Sequence, residues 1–422
     1  GRGRRVRALA AQVPRRPRMS ADLVPVEAHL ADILAAVRPL TPVRLGLEEA
    51  EGGVLAEDAT ALRPLPSFDN SSMDGYAVHA SDTAAAAPGA PVTLPVADEI
   101  PAGDTRALTV APGTSARIMT GALLPAGADA VVPVEWTDGG DKRVAISQPA
   151  AAGHAIRRRG DDVAEGGVMV AAGALLSPAQ IGLLAAGGHG TALVRPRPRV
   201  EVIATGNELT DPGTQLAPGQ IWESNGYMLA AMARQAGGRA RRHRVRDDPV
   251  AVVTALEELS VSADLLITTG GVSMGGEHDV VKAALGGFAI RFRKVALQPG
   301  MPQGFGLVGL GGTPVLTLPG NPVSAYLSFL LFARPAMQAL QGLTPAPLPV
   351  TRARLAGAVR SPEGRRSYLR GVLSHRAGTV VPLTGQGSHQ LGALARANAL
   401  IVVPEHVVRM EEDEPVDVVS LP

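Results

Sequence analysis

Leu265-Leu266-Ile267-Thr268-Thr269-Gly270-Gly271-Val272-Ser273-Met274-Gly275-Gly276 runs from a short apolar and β-branched segment straight into a glycine-rich loop. Such a run, closed by glycine, predicts a strand over 265–269. The same pattern brackets it on both sides. Upstream, Val200–Ala204 ends in Thr205-Gly206-Asn207-Glu208; downstream, Val315–Leu318 ends in Pro319-Gly320-Asn321-Pro322-Val323-Ser324. Between them the spacing predicts a helix over Gly226–Ala236, stopped by Gly237-Gly238, and a strand over Arg239–Val245. Asp248 reads as an N-cap with Pro249 at the first helical position, leading a helix to about Leu259, and a further helix runs from Pro322 through Leu340. Repeated strand–loop–helix units predict a mostly parallel sheet covered on both faces, a doubly wound α/β domain over 198–345.

Outside that stretch the texture changes. Leu23, Val26, Leu30, Ile33, Leu34 and Val37 fall on one face of a helix predicted over Asp22–Val37. Residues 65–155 are rich in Pro, Gly, Val and Thr with short strand-like runs, which predicts a small β-module. Pro345–Pro349 marks a linker, and the rest of the chain returns to strands and turns, a second β-module over 346–422. The first 20 residues are a basic extension with seven arginines and no acid up to Arg18. They read as disordered rather than as a secretory signal, which would need a continuous apolar core.

Composition excludes several functions. There is no cysteine, so disulfides, thiolate metal sites and a cysteine nucleophile are ruled out. Without the seven N-terminal arginines, 33 of the 40 basic residues remain against 39 acids, a net charge of −6 on the body of the chain. Aromatics at 3% leave few stacking platforms, and no nucleic-acid role is read. No run of 18 or more apolar residues indicates a membrane span. There is neither a G-x-G-x-x-G fingerprint nor a Walker-type loop, so nicotinamide binding and P-loop ATP hydrolysis are unsupported.

Ligands of open α/β sheets bind at the carboxyl ends of the strands. Three loops there carry Gly206, then Gly270, Gly271 and Ser273, then Pro319, Gly320 and Asn321, where a backbone can approach a ligand closely and present N–H groups. Any one glycine after a strand is usually just a turn; three in one domain point to a cradle for a phosphorylated ligand. Glu208, Asp247 and Asp279 recur at loop positions, and carboxylates beside phosphates need a hard cation such as Mg²⁺ between them. Read blandly, they are surface or capping acids. The first β-module holds Phe68-Asp69-Asn70-Ser71-Ser72-Met73-Asp74-Gly75-Tyr76-Ala77-Val78, denser in polar groups than a turn requires. Arg157-Arg158-Arg159 is either a solvated face or a holder of oxyanions.

FDNSSMDGYAV (68–78), RIMTGA (117–122), IRRRGDD (156–162), ATGNEL (204–209), RDDP (246–249), TTGGVSMG (268–275), LPGNPVS (318–324) and GQGSH (385–389) together resemble the molybdopterin molybdenumtransferase family, MoeA and the E domain of gephyrin. The likeness covers nearly everything from residue 22 to 420. It implies an elongated helical and extended segment (21–64 and 156–197) with the 65–155 β-module inserted in it, an α/β domain similar to the molybdopterin adenylyltransferases, and a C-terminal β-barrel. It implies a cytoplasmic homodimer whose active site combines the α/β domain of one subunit with the first β-module of the other. The implied reaction takes adenylylated molybdopterin and molybdate, uses Mg²⁺, and releases AMP as molybdenum enters the dithiolene. Contact with the adenylyltransferase that supplies the substrate is implied as well. Carried over by motif, the functional positions are Asp74, Thr120, Arg157, Asp162, Glu208, Asp247, Asp279, Lys294, Arg370 and Ser388. Glu208, Asp247 and Asp279 are the metal candidates. One departure stands out: where the family has lysines in K-x-x-x-K-P-G-K-P, this chain keeps Lys294 but has Gln298 and Met301. Two lost cations would weaken the field on an oxyanion, with Lys294 and the arginine run supplying the rest. Transfer of an adenylyl group to molybdopterin is the nearest rival activity, and a gephyrin-like scaffold role is a second.

Overall fold

The computed structural model describes residues 23–270 and 290–421. The chain divides into two compact units, 42–194 and a second made of the residues before 42 and after 194.

In the 42–194 unit, a five-stranded sheet orders its strands Ala130–Pro133, Gly75–Val78, Ser115–Ile118, Val92–Ile100, Arg143–Ile146. Alternation along Gly75–Val78 feeds two cores, as a period of two demands. Tyr76 and Val78 pack with Val132, Val144 and Ile146 on one face. Ala77 packs with Ile100, Ile118 and Val131 on the other. Gly75 starts the second strand, where it runs antiparallel against Ala130–Pro133. A Cβ there would lie 2.0 Å from the carbonyl oxygen of Val132, so only glycine fits. Gly75→Ala is therefore expected to destabilise this unit by about 3 kcal/mol, as overpacking of backbone against backbone does. Thermal or urea unfolding checks it; an unchanged midpoint would mean that the strands part without cost. Away from this sheet, the helix Pro178–Ala186 is started by a capping box between Ser177 and Gln180. It buries Leu184 against Leu55, Leu176 and Val194.

The second unit contains the α/β domain. Its six-stranded sheet runs Arg239–Val245, Arg199–Thr205, Leu265–Thr269, Thr313–Leu318, Pro302–Val308, Arg291–Lys294. The first four strands are parallel, and Pro302–Val308 runs antiparallel to both of its neighbours. Val200, Val202, Leu265 and Ile267 face one way, onto Leu229 and Ala233 of the helix Asn225–Gln235, Leu327 of the helix Pro322–Ser328, and Val26 and Ile33 of the N-terminal helix Val26–Ala36. Ile203, Leu266 and Val315 face the other way, onto Val252 and Leu256 of the helix Pro249–Ser260. Both faces are thus covered. Asp248 caps that helix, accepting from the N–H groups of Val250 and Ala251 with Pro249 next to it, as its sequence predicts.

Two strands have no counterpart in the sequence reading, Arg291–Lys294 and Pro302–Val308. The second carries Gly304 and Gly306, which erase the apolar alternation. Gly304 is required by packing, since a Cβ would lie 2.9 Å from Phe292 and from Thr317. The apolar run Pro322–Leu340 is long and apolar enough to span a membrane, but 72% of it is buried in the protein, as in a core helix. Beyond it, Arg366–Ser374, Thr379–Pro382, Val350–Leu355, Pro415–Ser420 and Ala399–Val403 pair in that order. The last returns to the first, closing a five-stranded barrel around Leu355, Leu369, Val380, Ile401 and Val418.

Candidate functional site

At the carboxyl ends of the parallel strands lies a cleft of about 730 Å³. The strand ending at Thr205 turns at Gly206, the strand ending at Thr269 at Gly270, and the strand ending at Leu318 at Pro319-Gly320. These turns touch one another. A Cβ on Gly270 would lie 2.3 Å from the carbonyl oxygen of Thr205, and one on Gly320 would lie 3.4 Å from the Cα of Gly270. With φ at +97°, Gly270 also has a backbone that favours glycine. Asn225, at the start of its helix, ties the last two of these loops together. Its side-chain amide donates to Thr269 Oγ1 at 3.0 Å and to the Gly320 carbonyl at 2.6 Å, and Thr269 Oγ1 donates on to the Pro319 carbonyl at 3.1 Å.

Three carboxylates line the cleft; Glu223 is tied to Arg242 at 3.5 Å and to the Gly226 N–H, which leaves Glu208 and Asp247 at this cradle. Glu208 folds back over its own loop, so that a Cβ on Gly206 would lie 2.6 Å from Glu208 Oε2. Asp247 lines the cleft, and its Oδ1 is buried without a hydrogen-bond partner. Burial raises the Asp247 carboxyl above its ordinary value, and the negative charge of Glu208 raises it further. Thr205 Oγ1 and Asn225 Oδ1, on the same walls, are likewise buried and unpartnered. So many unmet polar atoms in one cleft are what a site built for a polar ligand leaves behind. Among the described residues no three metal-ligating side chains converge. The third expected acid, Asp279, lies outside the described residues, as do Gly271 and Ser273.

Other expected positions fall around this cleft in different ways. Pro319, Gly320 and Asn321 line it. Lys294 is exposed at the end of its strand, paired in register with Pro302, which is on the cleft wall. The Ser388 carbonyl accepts from the N–H of Val323 at 3.0 Å, which seats the 385–389 loop on the start of the helix Pro322–Ser328 and brings His389 to the wall. Arg370, expected to bind substrate, is fully buried and is not on that wall. Its guanidinium donates to the carbonyls of Gly385 at 2.6 Å and Gly387 at 3.0 Å, so it braces the loop from beneath. Burial with no acid beside it lowers its proton affinity. Gln298 and Met301 do not line the cleft either. The Gln298 amide oxygen accepts from Arg365 at 3.2 Å, so the positive charge beside this loop sits on a barrel arginine.

In the 42–194 unit, Asp74 and Thr120 form one pair. Asp74 Oδ1 accepts from the Thr120 N–H at 2.7 Å and its hydroxyl at 2.8 Å, which holds the carboxyl below its ordinary value. Arg157 is exposed on a short strand, paired with Asn70. Its two neighbours are already neutralised, Arg158 by Asp69 at 2.7 Å and Arg159 by Glu165 at 3.0 Å. The arginine run therefore offers one side chain rather than three. Asp162 is exposed, and its backbone N–H donates to the Leu65 carbonyl. The sequence reading missed Asn225, Trp222 and His389. Asn225 had a signal, since Ser224-Asn225 before an apolar helical run is a helix-start pattern.

Three family models match in chain order: the MoeA N-terminal region (domain I and II) over residues 24–188, a probable molybdopterin binding domain over 201–339, and the MoeA C-terminal region (domain IV) over 352–421. Molybdopterin molybdenumtransferase 2 of Mycobacterium tuberculosis is 48% identical over 393 residues, 91% of this chain and 96% of that protein. The molybdopterin molybdenumtransferase of Bacillus subtilis is 34% identical over 370 residues, 85% of each. The crystal structure of the molybdopterin biosynthesis MoeA protein from Pyrococcus horikosii superposes with a TM-score of 0.74 at 31% identity, over 94% of this chain and 99% of that one.

Proposed function

The chain belongs to the molybdopterin molybdenumtransferase family, and from that premise we propose how its own residues carry out the insertion of molybdenum into molybdopterin. Its place is in molybdenum-cofactor biosynthesis, as a transferase that takes molybdopterin and molybdate. In our reading the molybdopterin arrives adenylylated, its phosphoanhydride lies against the turns at Gly206, Gly270 and Gly320, and AMP leaves. The observation that carries this is the buried, unpartnered Asp247 Oδ1 beside Glu208 at the mouth of that cradle. Two carboxylates next to a phosphate site would repel the ligand. Glu208 and Asp247 would instead hold Mg²⁺, which would supply the positive charge that offsets the phosphates. Asn225 ties the turns at Gly270 and Gly320 to each other, and Lys294 adds positive charge at the rim.

A second copy completes the site in this reading, its 42–194 unit bringing Asp74, Thr120 and Arg157. What supports this is the surface around Asp74. Phe68, Met73 and Leu123 are 42%, 39% and 40% exposed there, large apolar side chains on the same loop and its bridge partner. Thr120 keeps Asp74 ionised and occupies one of its oxygens, which leaves Oδ2 to accept from a protonated oxyanion or a water.

The test supplies adenylylated molybdopterin, molybdate and Mg²⁺ and follows AMP. Release that depends on molybdate is expected. Adenylylated product from ATP and molybdopterin without molybdate would favour the rival transferase instead. Metal-stripped protein is further expected to melt a few degrees higher when Mg²⁺ is added at several times its dissociation constant. Glu208→Gln should lose that rise. An equal rise in both proteins would move the cation elsewhere.

A further inference from the structure

We propose that Trp222 is the platform on which a flat nitrogen heterocycle of the substrate stacks; this rests on the reading above, in which the ligand carries a ring at each end of its phosphates. The cleft, at about 730 Å³, is far roomier than a pyrophosphate alone requires, and Trp222 forms part of its wall. The indole is 50% exposed, and Ile221 next to it, also on the cleft wall, is 54% exposed. An apolar rim of this kind on a polar cleft suits a partner with a π face. The indole N–H is already satisfied, donating to the Thr214 carbonyl at 2.9 Å, so what remains for a ligand is the ring itself.

The ring is also held still. Trp222 pairs with Thr210 in a two-stranded ladder, Ile221 N–H donates to the Glu208 carbonyl at 2.8 Å, and Glu223 N–H donates to the Thr210 carbonyl at 2.8 Å. This flap is pinned to the edge strand, where Arg242 and Arg244 reach Asp211 at 3.3 and 3.5 Å. Trp222 therefore shares a short rigid ladder with the backbone of Glu208. A nearby aromatic, Tyr227, is already taken, with the Arg242 guanidinium 4.1 Å from its ring centre. The rings on offer are adenine and the pyrimidinone ring of the pterin; each presents a flat, nitrogen-rich π face, and indole stacks on either.

Direct binding decides the matter. In a Trp136→Phe background the intrinsic emission comes from Trp222, because the chain has two tryptophans. AMP should quench that emission saturably if adenine is the ring. Pterin should lose its own emission on binding if the pterin is. Ribose 5-phosphate should do neither. Trp222→Ala should weaken the ring ligand about tenfold or more at unchanged melting temperature, and Trp222→Phe should recover most of it. Absence of quenching by both AMP and pterin overturns the proposal. So does equal affinity in Trp222→Ala and wild type. If a ring ligand quenches but molybdate-dependent AMP release is absent, the platform stands and the reaction assigned above falls.

Discussion

An Asp74→Asn chain and a Glu208→Ala chain, each inactive alone, are expected to recover molybdate-dependent AMP release when mixed under conditions of subunit exchange. If the site takes Asp74 from one copy and Glu208 from the other, each mixed dimer holds one site with both defects and one with neither. Random exchange of equal amounts makes half the dimers mixed, so about a quarter of wild-type activity should return. Asparagine is the better replacement at 74. It keeps an acceptor for the Thr120 N–H and hydroxyl, both of which bond to Oδ1, and removes only the charge. The position is exposed, so folding should change by no more than about ±0.5 kcal/mol. A marked fall in melting temperature would make Asp74 a turn-stabilising residue instead. Mixed dimers confirmed by mass and still inactive would place both residues in one chain's site, or Asp74 outside any site.

The parts of this fold that could be read from sequence are those where one local signal has one physical cause. Leu265–Thr269 ends in glycine because its loop must pass against the Thr205 carbonyl, and Asp248-Pro249 starts a helix because the cap and the fixed φ agree. The cradle was legible because three loops carried the same signature. Its brace, Asn225, was not, because a bond to Thr269 and Gly320 joins residues 44 and 95 positions away. The flap carrying Trp222 was hidden behind Asp211-Pro212-Gly213, which reads as an ordinary turn. Charges were the least legible of all. Arg158 and Arg159 are spent on Asp69 and Glu165, and Arg370 is buried beneath a loop, yet in sequence all three look like Arg157. Which arginine is free depends on tertiary pairing, and a local pattern holds no record of it.

Asp247→Asn should separate what the site costs from what it does. In the folded chain this carboxyl titrates above its ordinary value, first through burial and then through Glu208. Between the two values the folded state binds more protons than the unfolded one, so stability falls as pH rises through that window. At pH 7 the ionised group is therefore a net cost to the fold, and the neutral amide relieves it. Metal-free Asp247→Asn is expected to melt above metal-free wild type at pH 7, with the difference shrinking as pH drops into and below the ordinary carboxylate range near 4. Mg²⁺ should narrow the gap at pH 7 by stabilising the wild type alone, since the variant has lost one of the two carboxylates proposed to hold the cation. The same substitution is expected to slow molybdate-dependent AMP release about a thousandfold, roughly 4 kcal/mol of transition-state stabilisation. A variant that is less stable than wild type at pH 7 without metal would mean that Asp247 has a favourable partner in the fold. A variant that is more stable and also fully active would leave Asp247 as an unfavourably buried acid without a role in the reaction and move the cation site to other residues.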